Sequence, residues 1–340
     1  MDFTLKHALG SYTVHSAYGG LQEIGKYFKL DRRVLIVTDA GVPSEYARTA
    51  AAACKEPHIV TVPMGEESKS IETMKMLCEK MLAYGFTRKD AVIGIGGGVV
   101  GDLACFAASA YMRGIDFYNV PTTVLAAVDS SVGGKCGVNL AGVKNIVGAF
   151  YQPKGVLFDA RLLRTLPKRQ IAAGLAEAIK MAATFDESLF SLFETEEITE
   201  NLYEQVIFRA ASLKARIVEA DEREGGIRKS LNFGHTYGHA IEAAGGMAQL
   251  LHGECVALGM LPFCSDAVYE RLFGVLKRFS LPTALPFEAR LALPYLSHDK
   301  KWGERGVDAV FCEAIGSFEI RTLTKDALLA TIEGAQKRYR

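Results

Sequence analysis

The sequence predicts an N-terminal α/β domain built on a parallel sheet, followed by a mostly α-helical C-terminal domain. Its 340 residues, 49% of them hydrophobic, are enough for about two domains with cores of their own. Short β-rich runs alternate with helical patterns over the first 125 residues. Beyond Tyr151 the β-branched runs thin out and long helical patterns take over.

The strands of the first domain are predicted from runs rich in β-branched and aromatic residues. These runs are SYTVHSA (11–17), RVLIVTD (33–39), HIVTV (58–62), AVIGIG (91–96) and FYNV (117–120). Helical patterns separate several of them, including EYARTAAAA and the amphipathic IETMKMLCEKMLAYG. The alternation predicts βαβ units and a buried parallel sheet.

The second half reads as helices over PKRQIAAGLAEAIKMAATF, ENLYEQVIFRAASLKARIVEAD, HTYGHAIEAA and ECVALGMLPFCSDAVYERL. We place the boundary near residue 155, which gives domains 1–155 and 156–340. The sequence has no internal repeat, charge block or low-complexity linker. We therefore expect two closely packed domains, with the functional site in a cleft between them.

Composition excludes several classes of partner. The 39 Lys and Arg balance 39 Asp and Glu, so the protein lacks the cationic field of nucleic-acid and anionic-membrane binders. No run of about 18 apolar residues predicts a membrane span, and the N-terminus does not resemble a signal peptide, so we expect a cytoplasmic protein. Seven scattered cysteines without a C-x-x-C pair argue against a disulfide framework or a thiolate zinc site.

A glycine-rich turn follows the predicted strand 91–96. Residues 96–101 read G-G-G-V-V-G, which satisfies G-x-G-x-x-G, and they lead into a helical pattern. Such a turn lets the backbone approach a pyrophosphate at a helix N-terminus, which predicts a Rossmann-like nucleotide-binding domain. The alternative is a tight turn without a ligand. No acidic residue lies at the usual distance for a ribose contact, so Asp39, at the end of the run 33–39, is the better candidate.

A polar, glycine-broken stretch covers residues 121–145. It buries little apolar area and contains Lys135, Lys144, Asn139 and Asn145, which suggests that it binds an anion. The alternative is a long surface loop with solvated lysines.

Three of the seven histidines fall within eighteen residues. His235 and His239 are one helical turn apart, a spacing that suits two imidazole ligands of a divalent metal, and His252 follows. Glu177 lies among alanines on an apolar helix, where a carboxylate requires a cation or a metal. The alternative is a pair of helical histidines with ordinary partners. The charged residues 214–229 read, by composition, as a solvated helix end.

Several strings of the sequence resemble the 3-dehydroquinate synthase family of sugar-phosphate cyclases. The matching strings are GGGVVGD (96–102), YMRG (111–114), PTTVLAAVDSSVGGKCGVN (121–139), KNIVGAFYQP (144–153), LAEAIK (175–180), DEREGGIR (221–228), LNFGHTYGHAIE (231–242), HGE (252–254) and DKK (299–301). They follow the family's order and span nearly all of the chain between positions 65 and 301.

The resemblance implies a dehydroquinate synthase-like fold and the conversion of 3-deoxy-D-arabino-heptulosonate 7-phosphate to 3-dehydroquinate and phosphate. It implies NAD, a zinc or cobalt ion, and a homodimer. The chemistry would be transient oxidation, phosphate elimination, reduction, ring opening and an intramolecular aldol step. The implied metal ligands are Glu177, His235 and His252. His239 then becomes a substrate contact.

The remaining site residues are implied by motif match alone. Those near the leaving phosphate are Lys135, Asn145, Asn232, His239 and either Lys300 or Lys301, with Arg113 supplied by the partner subunit. Those at the substrate carboxylate are Lys214 and Arg228. Those near the nicotinamide and the ring hydroxyls are Asp129, Lys144, Lys180 and Glu224. Those on the cofactor side are Gly97, Gly98, Asp102, Thr122 and Thr123, with Glu66 and Lys69 near the adenosine.

The sequence also allows other interpretations. A related cyclase that makes 2-deoxy-scyllo-inosose or a valiolone, or a metal-dependent polyol dehydrogenase, would share the fold and the glycine turn. A non-catalytic relative is the second class, and it would be expected to lack ligand or substrate residues. One departure from the family is local: the glycine that usually precedes the K-N pair is shifted by one place, to Gly142.

Overall fold

The computed structural model describes residues 1–222, 225–244, 250–288, 291–298 and 306–339. It divides into two compact units. The first is Met1–Leu166 with Lys214–Glu219, and the second is Pro167–Leu213 with Ala220–Arg340. Among the described residues there is no helix long and apolar enough to cross a membrane.

The first unit is built on a seven-stranded sheet. Its strands along the chain are β1 (Asp2–His7), β2 (Gly10–Ser16), β3 (Arg33–Asp39), β4 (Glu56–Val62), β5 (Ala91–Gly96), β6 (Asp116–Pro121) and, after a separate hairpin, β9 (Gly155–Phe158). Their order in the sheet is β1-β2-β9-β6-β5-β3-β4, and only β1 and β2 pair antiparallel. Every residue of β5 is buried, as expected of a central parallel strand. The predicted parallel sheet is confirmed.

Three α-helices accompany this sheet: α1 (Ser44–Ala52), α2 (Ile71–Ala83) and α3 (Gly98–Ala110). The Ser70 hydroxyl caps α2 by accepting from the Thr73 N–H. α3 is almost wholly apolar and packs against β5, β6 and a hairpin. It begins directly after β5, so the glycine turn lies at its N-terminus.

The polar stretch predicted as a loop or a ligand-binding segment folds in part as a β-hairpin. Its strands are β7 (Lys135–Leu140) and β8 (Val143–Phe150), and Leu140 pairs with Val143. Ala141 and Gly142 therefore form a two-residue turn, and both have positive φ (51° and 78°). The shifted glycine of the sequence is accommodated in this turn, since hairpin turns of two residues favour positive φ at both positions.

The second unit is mainly helical, as predicted. Its helices are α4 (Lys168–Phe185), α5 (Glu187–Thr195), α6 (Glu200–Ala220), α7 (His235–Ala244), α8 (His252–Met260), α9 (Asp266–Arg278) and α10 (Lys325–Gly334). The last turns of α6 belong to the first unit. An antiparallel hairpin of β10 (Val307–Phe311) and β11 (Glu319–Leu323) is an addition that the sequence reading did not predict.

Candidate functional site

Three helices of the second unit bring Glu177, His235 and His252 together. Glu177 lies in the middle of α4, and the two histidines are the first residues of α7 and α8. The Nε2 atoms of His235 and His252 each lie 3.5 Å from Glu177 Oε1. One donor atom from each of the three residues lies within 4.8 Å of the others, and no other group in the described part of the chain meets this criterion.

The carboxylate of Glu177 is incompletely satisfied by the protein. Its Oε2 accepts from Lys180 Nζ at 2.5 Å, whereas its Oε1 is buried and has no hydrogen-bond donor. A buried carboxylate oxygen without a donor is costly unless a cation completes it. One carboxylate oxygen and two imidazole nitrogens are also a common donor set for zinc with an open coordination position. The residues present therefore fit a divalent metal.

Burial and neighbouring charges shift the pKa values of all three residues of this cluster. Burial raises the pKa of Glu177, but Lys180 and the two histidines outweigh it and hold that pKa well below its ordinary value. Burial and the nearby Lys180 charge lower the pKa of His235. Burial also lowers the pKa of His252, but the carboxylates of Glu177 and Glu242 overcome this and raise it to about 10.

The other ring nitrogen of each ligand histidine is held from outside the cluster. His235 Nδ1 lies 3.2 Å from the carbonyl oxygen of Phe233, and His252 Nδ1 lies 2.9 Å from Glu242 Oε2. Such contacts fix the ring and leave Nε2 facing the cluster. Glu242 is the last residue of the string LNFGHTYGHAIE (231–242), but it was assigned no function from the sequence. Its position seven residues, or two helical turns, after His235 is the signal that could have found it.

His239 lies beside this group. Its ring centroid is 5.2 Å from that of His235 and 5.9 Å from that of His252. The helical spacing of His235 and His239 suggested a ligand pair, yet the group of three donor atoms is completed by His252 and Glu177. Helical spacing alone did not distinguish these two arrangements, because both rings project from the same face of α7.

In the first unit, the glycine turn joins β5 directly to α3. A Cβ at Gly96 would lie 2.6 Å from Val100 Cγ2, so the packing of the turn excludes a side chain there. The Thr122 N–H donates to Gly96 O at 2.9 Å, and Thr123 Oγ1 accepts from the Ala126 N–H. Gly97 and Gly98 stand at the start of α3, where the first N–H groups of a helix have no intrahelical acceptor.

Close to that turn, Lys69 joins two predicted site residues. Its buried Nζ lies 2.5 Å from Asp102 Oδ2 and donates to Asn145 Oδ1 at the same distance. Burial raises the pKa of Asp102 to about 6, although the Lys69 charge opposes this shift. We refer to Lys69, Asp102 and Asn145 as the Lys69 cluster.

A second set of contacts holds the β7–β8 hairpin to the segment around Glu66. The Asn139 side chain donates to Glu66 Oε1 at 2.9 Å, and its Oδ1 accepts from the Asn145 N–H. Asn145 has a positive φ of 53°, which asparagine tolerates better than most residues. Lys135 and Lys144 are exposed on the hairpin.

The other predicted residues have separate environments. Lys214 Nζ, in the first unit, donates to the Asp129 side chain at 2.6 Å. Arg228, in the second unit, is buried and donates to the carbonyl oxygen of Glu222. Asp39 ends β3, and its carboxylate accepts from the Gly41 N–H. Arg113 is exposed, Asn232 is half-buried, and Glu224, Lys300 and Lys301 lie outside the described residues.

Comparisons with known proteins agree with this geometry. Residues 59–173 match the family model for the 3-dehydroquinate synthase N-terminal domain, and residues 174–302 match its C-terminal counterpart. The chain is 39% identical to the 3-dehydroquinate synthase of Thermoanaerobacter pseudethanolicus, over 98% of this chain and all of that protein. It is 41% identical to the Geobacter metallireducens protein of the same name, over 93% of this chain and 95% of that one.

Two solved structures share the whole fold. A 2-deoxy-scyllo-inosose synthase complexed with carbaglucose-6-phosphate, NAD+ and Co2+ aligns with a TM-score of 0.87 and 26% identity, covering 98% of this chain and 100% of that one. The 2-epi-5-epi-valiolone synthase of Streptomyces hygroscopicus, with NAD+ and Zn2+ bound, aligns at 0.84 and 28% identity, covering 98% of both chains. The family models match most of the chain, and the curated relatives match nearly its full length. This chain therefore belongs to the 3-dehydroquinate synthase family.

Proposed function

We propose that this protein is a 3-dehydroquinate synthase of the shikimate pathway, a phosphate lyase that acts in the cytoplasm. It converts 3-deoxy-D-arabino-heptulosonate 7-phosphate to 3-dehydroquinate and phosphate. The observation that carries the proposal is the Glu177–His235–His252 group, with its buried carboxylate oxygen that no protein donor satisfies. The match to relatives of that name over nearly the full chain supports it.

The proposed cofactors are NAD and one zinc or cobalt ion, since the similar cyclases were solved with NAD+ and with Co2+ or Zn2+. When bound, these groups supply reversible hydride transfer and Lewis-acid polarisation of a substrate oxygen. Glu177, His235 and His252 would hold the metal. NAD would take the α3 turn, with Asp39, Glu66, Lys69 and Asp102 among its contacts.

In the second unit, the protein's own groups would position the substrate. Lys180 Nζ neutralises Glu177 Oε2 and is buried, so it is a fixed charge beside the metal ligands. His239 lies next to the ligand rings and is the candidate contact of the leaving phosphate, together with Asn232. The buried Arg228 guanidinium is suited to a fixed carboxylate.

In the first unit, Lys135 and Asn145 are the candidate phosphate contacts, and Asp129, Lys144 and Lys214 complete the proposed set. Arg113 is exposed in the short 3-10 turn that follows α3 and has a positive φ of 68°. We propose that the protein works as a homodimer in which this arginine reaches the partner's site. If so, Arg113→Ala mixed with a subunit inactivated elsewhere should regain part of the activity, whereas independent subunits would not.

A related cyclase is the second candidate, because 2-deoxy-scyllo-inosose synthase shares the fold at a TM-score of 0.87. The deciding experiment supplies the purified protein with the heptulosonate phosphate and catalytic NAD, with and without a chelator. We expect equal amounts of phosphate and dehydroquinate, loss of turnover with chelator, and recovery with zinc or cobalt. Turnover of a hexose 6-phosphate instead, or stoichiometric accumulation of NADH, would contradict the proposal.

A further inference from the structure

We propose that Arg169 and Glu254 are positioning residues for the metal centre: their ion pair fixes α8 against α4, and thereby His252 against Glu177. This inference rests on the metal centre of the proposed function. It assigns a role to Glu254, the glutamate of the HGE string.

The ion pair is bidentate and links the first turns of two helices. Arg169 Nε donates to Glu254 Oε1 and Arg169 Nη2 donates to Glu254 Oε2, both at 2.7 Å. The Glu254 side chain is only 8% exposed, whereas that of Arg169 is 55% exposed. A bidentate pair restricts the relative orientation of its two partners as well as their distance.

Glu254 does not serve as a metal ligand itself. Its Oε2 also accepts from the Leu251 N–H at 2.8 Å, so both carboxylate oxygens are engaged away from the cluster. This contact caps the start of α8 at the residue before His252. Glu254 therefore holds both the start of its own helix and the neighbouring helix.

Between the ion pair and the ligands, the two backbones touch. A Cβ built on Gly253 would lie 1.7 Å from the carbonyl oxygen of Ala173, so α4 and α8 can approach this closely only with glycine at 253. Arg169, Ala173 and Glu177 are spaced by four residues and lie along one face of α4. Along this face, Arg169 pairs with Glu254 and Ala173 O lies against Gly253. One turn further on, Glu177 lies beside His252.

The chain contains a matched control. Arg271 on α9 makes a bidentate pair with Glu194 on α5 at 2.8 Å for both hydrogen bonds, in the same unit, and neither helix carries a ligand of the group. Both replacements, Arg169→Met and Arg271→Met, remove a bidentate ion pair, and Arg271→Met also removes the contact of Arg271 Nη1 with Glu187 Oε1 at 3.1 Å. Only the first should disturb the ligand spacing.

The test measures cobalt binding by chelator competition and by the visible absorption of the bound ion, using the full chain. We expect Arg169→Met to weaken cobalt binding and to alter the absorption band. The loss of affinity should not exceed the roughly 10–100-fold that follows loss of a group hydrogen-bonded directly to a metal ligand. Arg271→Met should leave both unchanged, and Arg169→Lys should restore part of the affinity. Unchanged cobalt affinity and spectrum in Arg169→Met, or equal weakening in Arg271→Met, would overturn the proposal.

Glu254→Gln provides a second variant if Arg169→Met does not fold, because it keeps the shape of the side chain and an oxygen for the Leu251 N–H. It should also weaken cobalt binding, and wild-type affinity would overturn the inference. These readouts do not depend on turnover. A wild-type protein that binds cobalt but does not convert the heptulosonate phosphate would refute the proposed function and leave the positioning role standing.

Discussion

Each unit contains a buried group of charged side chains, and the two groups differ in whether every buried polar atom has a partner in the protein. In the Lys69 cluster, the amine of Lys69 is shared between the carboxylate of Asp102 and the amide oxygen of Asn145, so the lysine has partners within the protein. The second group consists of Glu177, His235 and His252, which we call the metal group. Its Glu177 Oε1 atom is buried and has no hydrogen-bond donor. The first group pairs a cation with a carboxylate within the protein. The second requires a cation to complete it.

The two groups also differ in what holds them. The metal group is carried by three α-helices whose backbones approach closely. The Lys69 cluster joins a loop residue, a helix residue and a hairpin residue at positive φ. Helices in backbone contact allow little adjustment, whereas a loop and a hairpin can adapt. We therefore expect substitutions to affect ligand binding abruptly in the second unit and gradually in the first.

The largest expected effect comes from removing one metal ligand. His235→Ala should lose bound metal and activity together, and His239→Ala should keep the metal while turnover falls. Loss of an outer partner costs about 10–100-fold in metal affinity, so loss of a ligand should cost more. Metal analysis of the purified variants, alongside a turnover assay, checks this. A variant at 239 that loses its metal while the one at 235 retains it would reverse our assignment.

The second expected effect tests the backbone contact in the metal group. Gly253→Ala places a methyl group 1.7 Å from Ala173 O, which the helices can relieve only by moving apart. Overpacking of this kind costs about 1–3 kcal/mol or more, and the movement should also weaken metal binding. Urea unfolding of the metal-free protein and cobalt titration measure the two effects.

Gly274→Ala on α9 is the matched control. A Cβ there meets nothing within 4 Å, so alanine should raise the free energy of unfolding by up to about 1 kcal/mol through its helix propensity. If Gly253→Ala and Gly274→Ala change the free energy of unfolding and the cobalt affinity by the same amounts, the close approach at Gly253 does not constrain the metal group. The second unit would then be no less adaptable than the first.

The sequence predicted the fold for identifiable physical reasons, whereas the group of Glu177, His235 and His252 was implied by the resemblance to the family and not by helical spacing. A short continuous apolar run such as 91–96, followed by a glycine turn, is typical of a central parallel strand, and all six residues are buried in β5. The histidines His235 and His252 are the first residues of α7 and α8. The partners of these residues could not be predicted in the same way. The pairing of Arg169 with Glu254 joins positions 85 residues apart, and that of Lys69 with Asn145 joins positions 76 apart. Such pairs depend on tertiary packing, which periodicity does not encode.

A third and smaller effect concerns the Lys69 cluster and pH. The pKa of Asp102 is raised by burial to about 6 in the folded protein, above its ordinary value of 3.8. The folded state therefore binds this proton more tightly than the unfolded state, and the ionised carboxylate opposes folding above pH 6. Relative to wild type, Asp102→Asn should gain about 2–3 kcal/mol of unfolding free energy as pH rises from about 4 to 7.

Asp186→Asn serves as the control, because its unfolding free energy relative to wild type should change with pH in the opposite direction. Burial raises the pKa of Asp186, but hydrogen bonds from Ser188, from the Leu189 N–H and from Arg209 lower it overall. Asp186 therefore stabilises the fold above its unfolded pKa, and its replacement should cost more as pH rises. Unfolding curves decide the matter, taken between about pH 4 and 7 for Asp102→Asn and between about pH 2 and 5 for Asp186→Asn, where each wild-type carboxylate titrates. A flat difference for Asp102→Asn would show that Lys69 compensates the burial of Asp102 fully.

The smallest effect concerns the hairpin that carries Lys144 and Asn145. Ala141 adopts a φ of 51°, where a Cβ is strained, and Gly142 follows at 78°. Ala141→Gly should therefore stabilise the protein by about 0.5–1 kcal/mol, and Gly142→Ala should destabilise it by about 1 kcal/mol. A Cβ at Gly142 meets nothing within 4 Å, so the second change tests backbone conformation alone. If neither variant alters the free energy of unfolding, the hairpin opens before the rest of the unit unfolds. The hairpin would then be the adaptable part of the first unit.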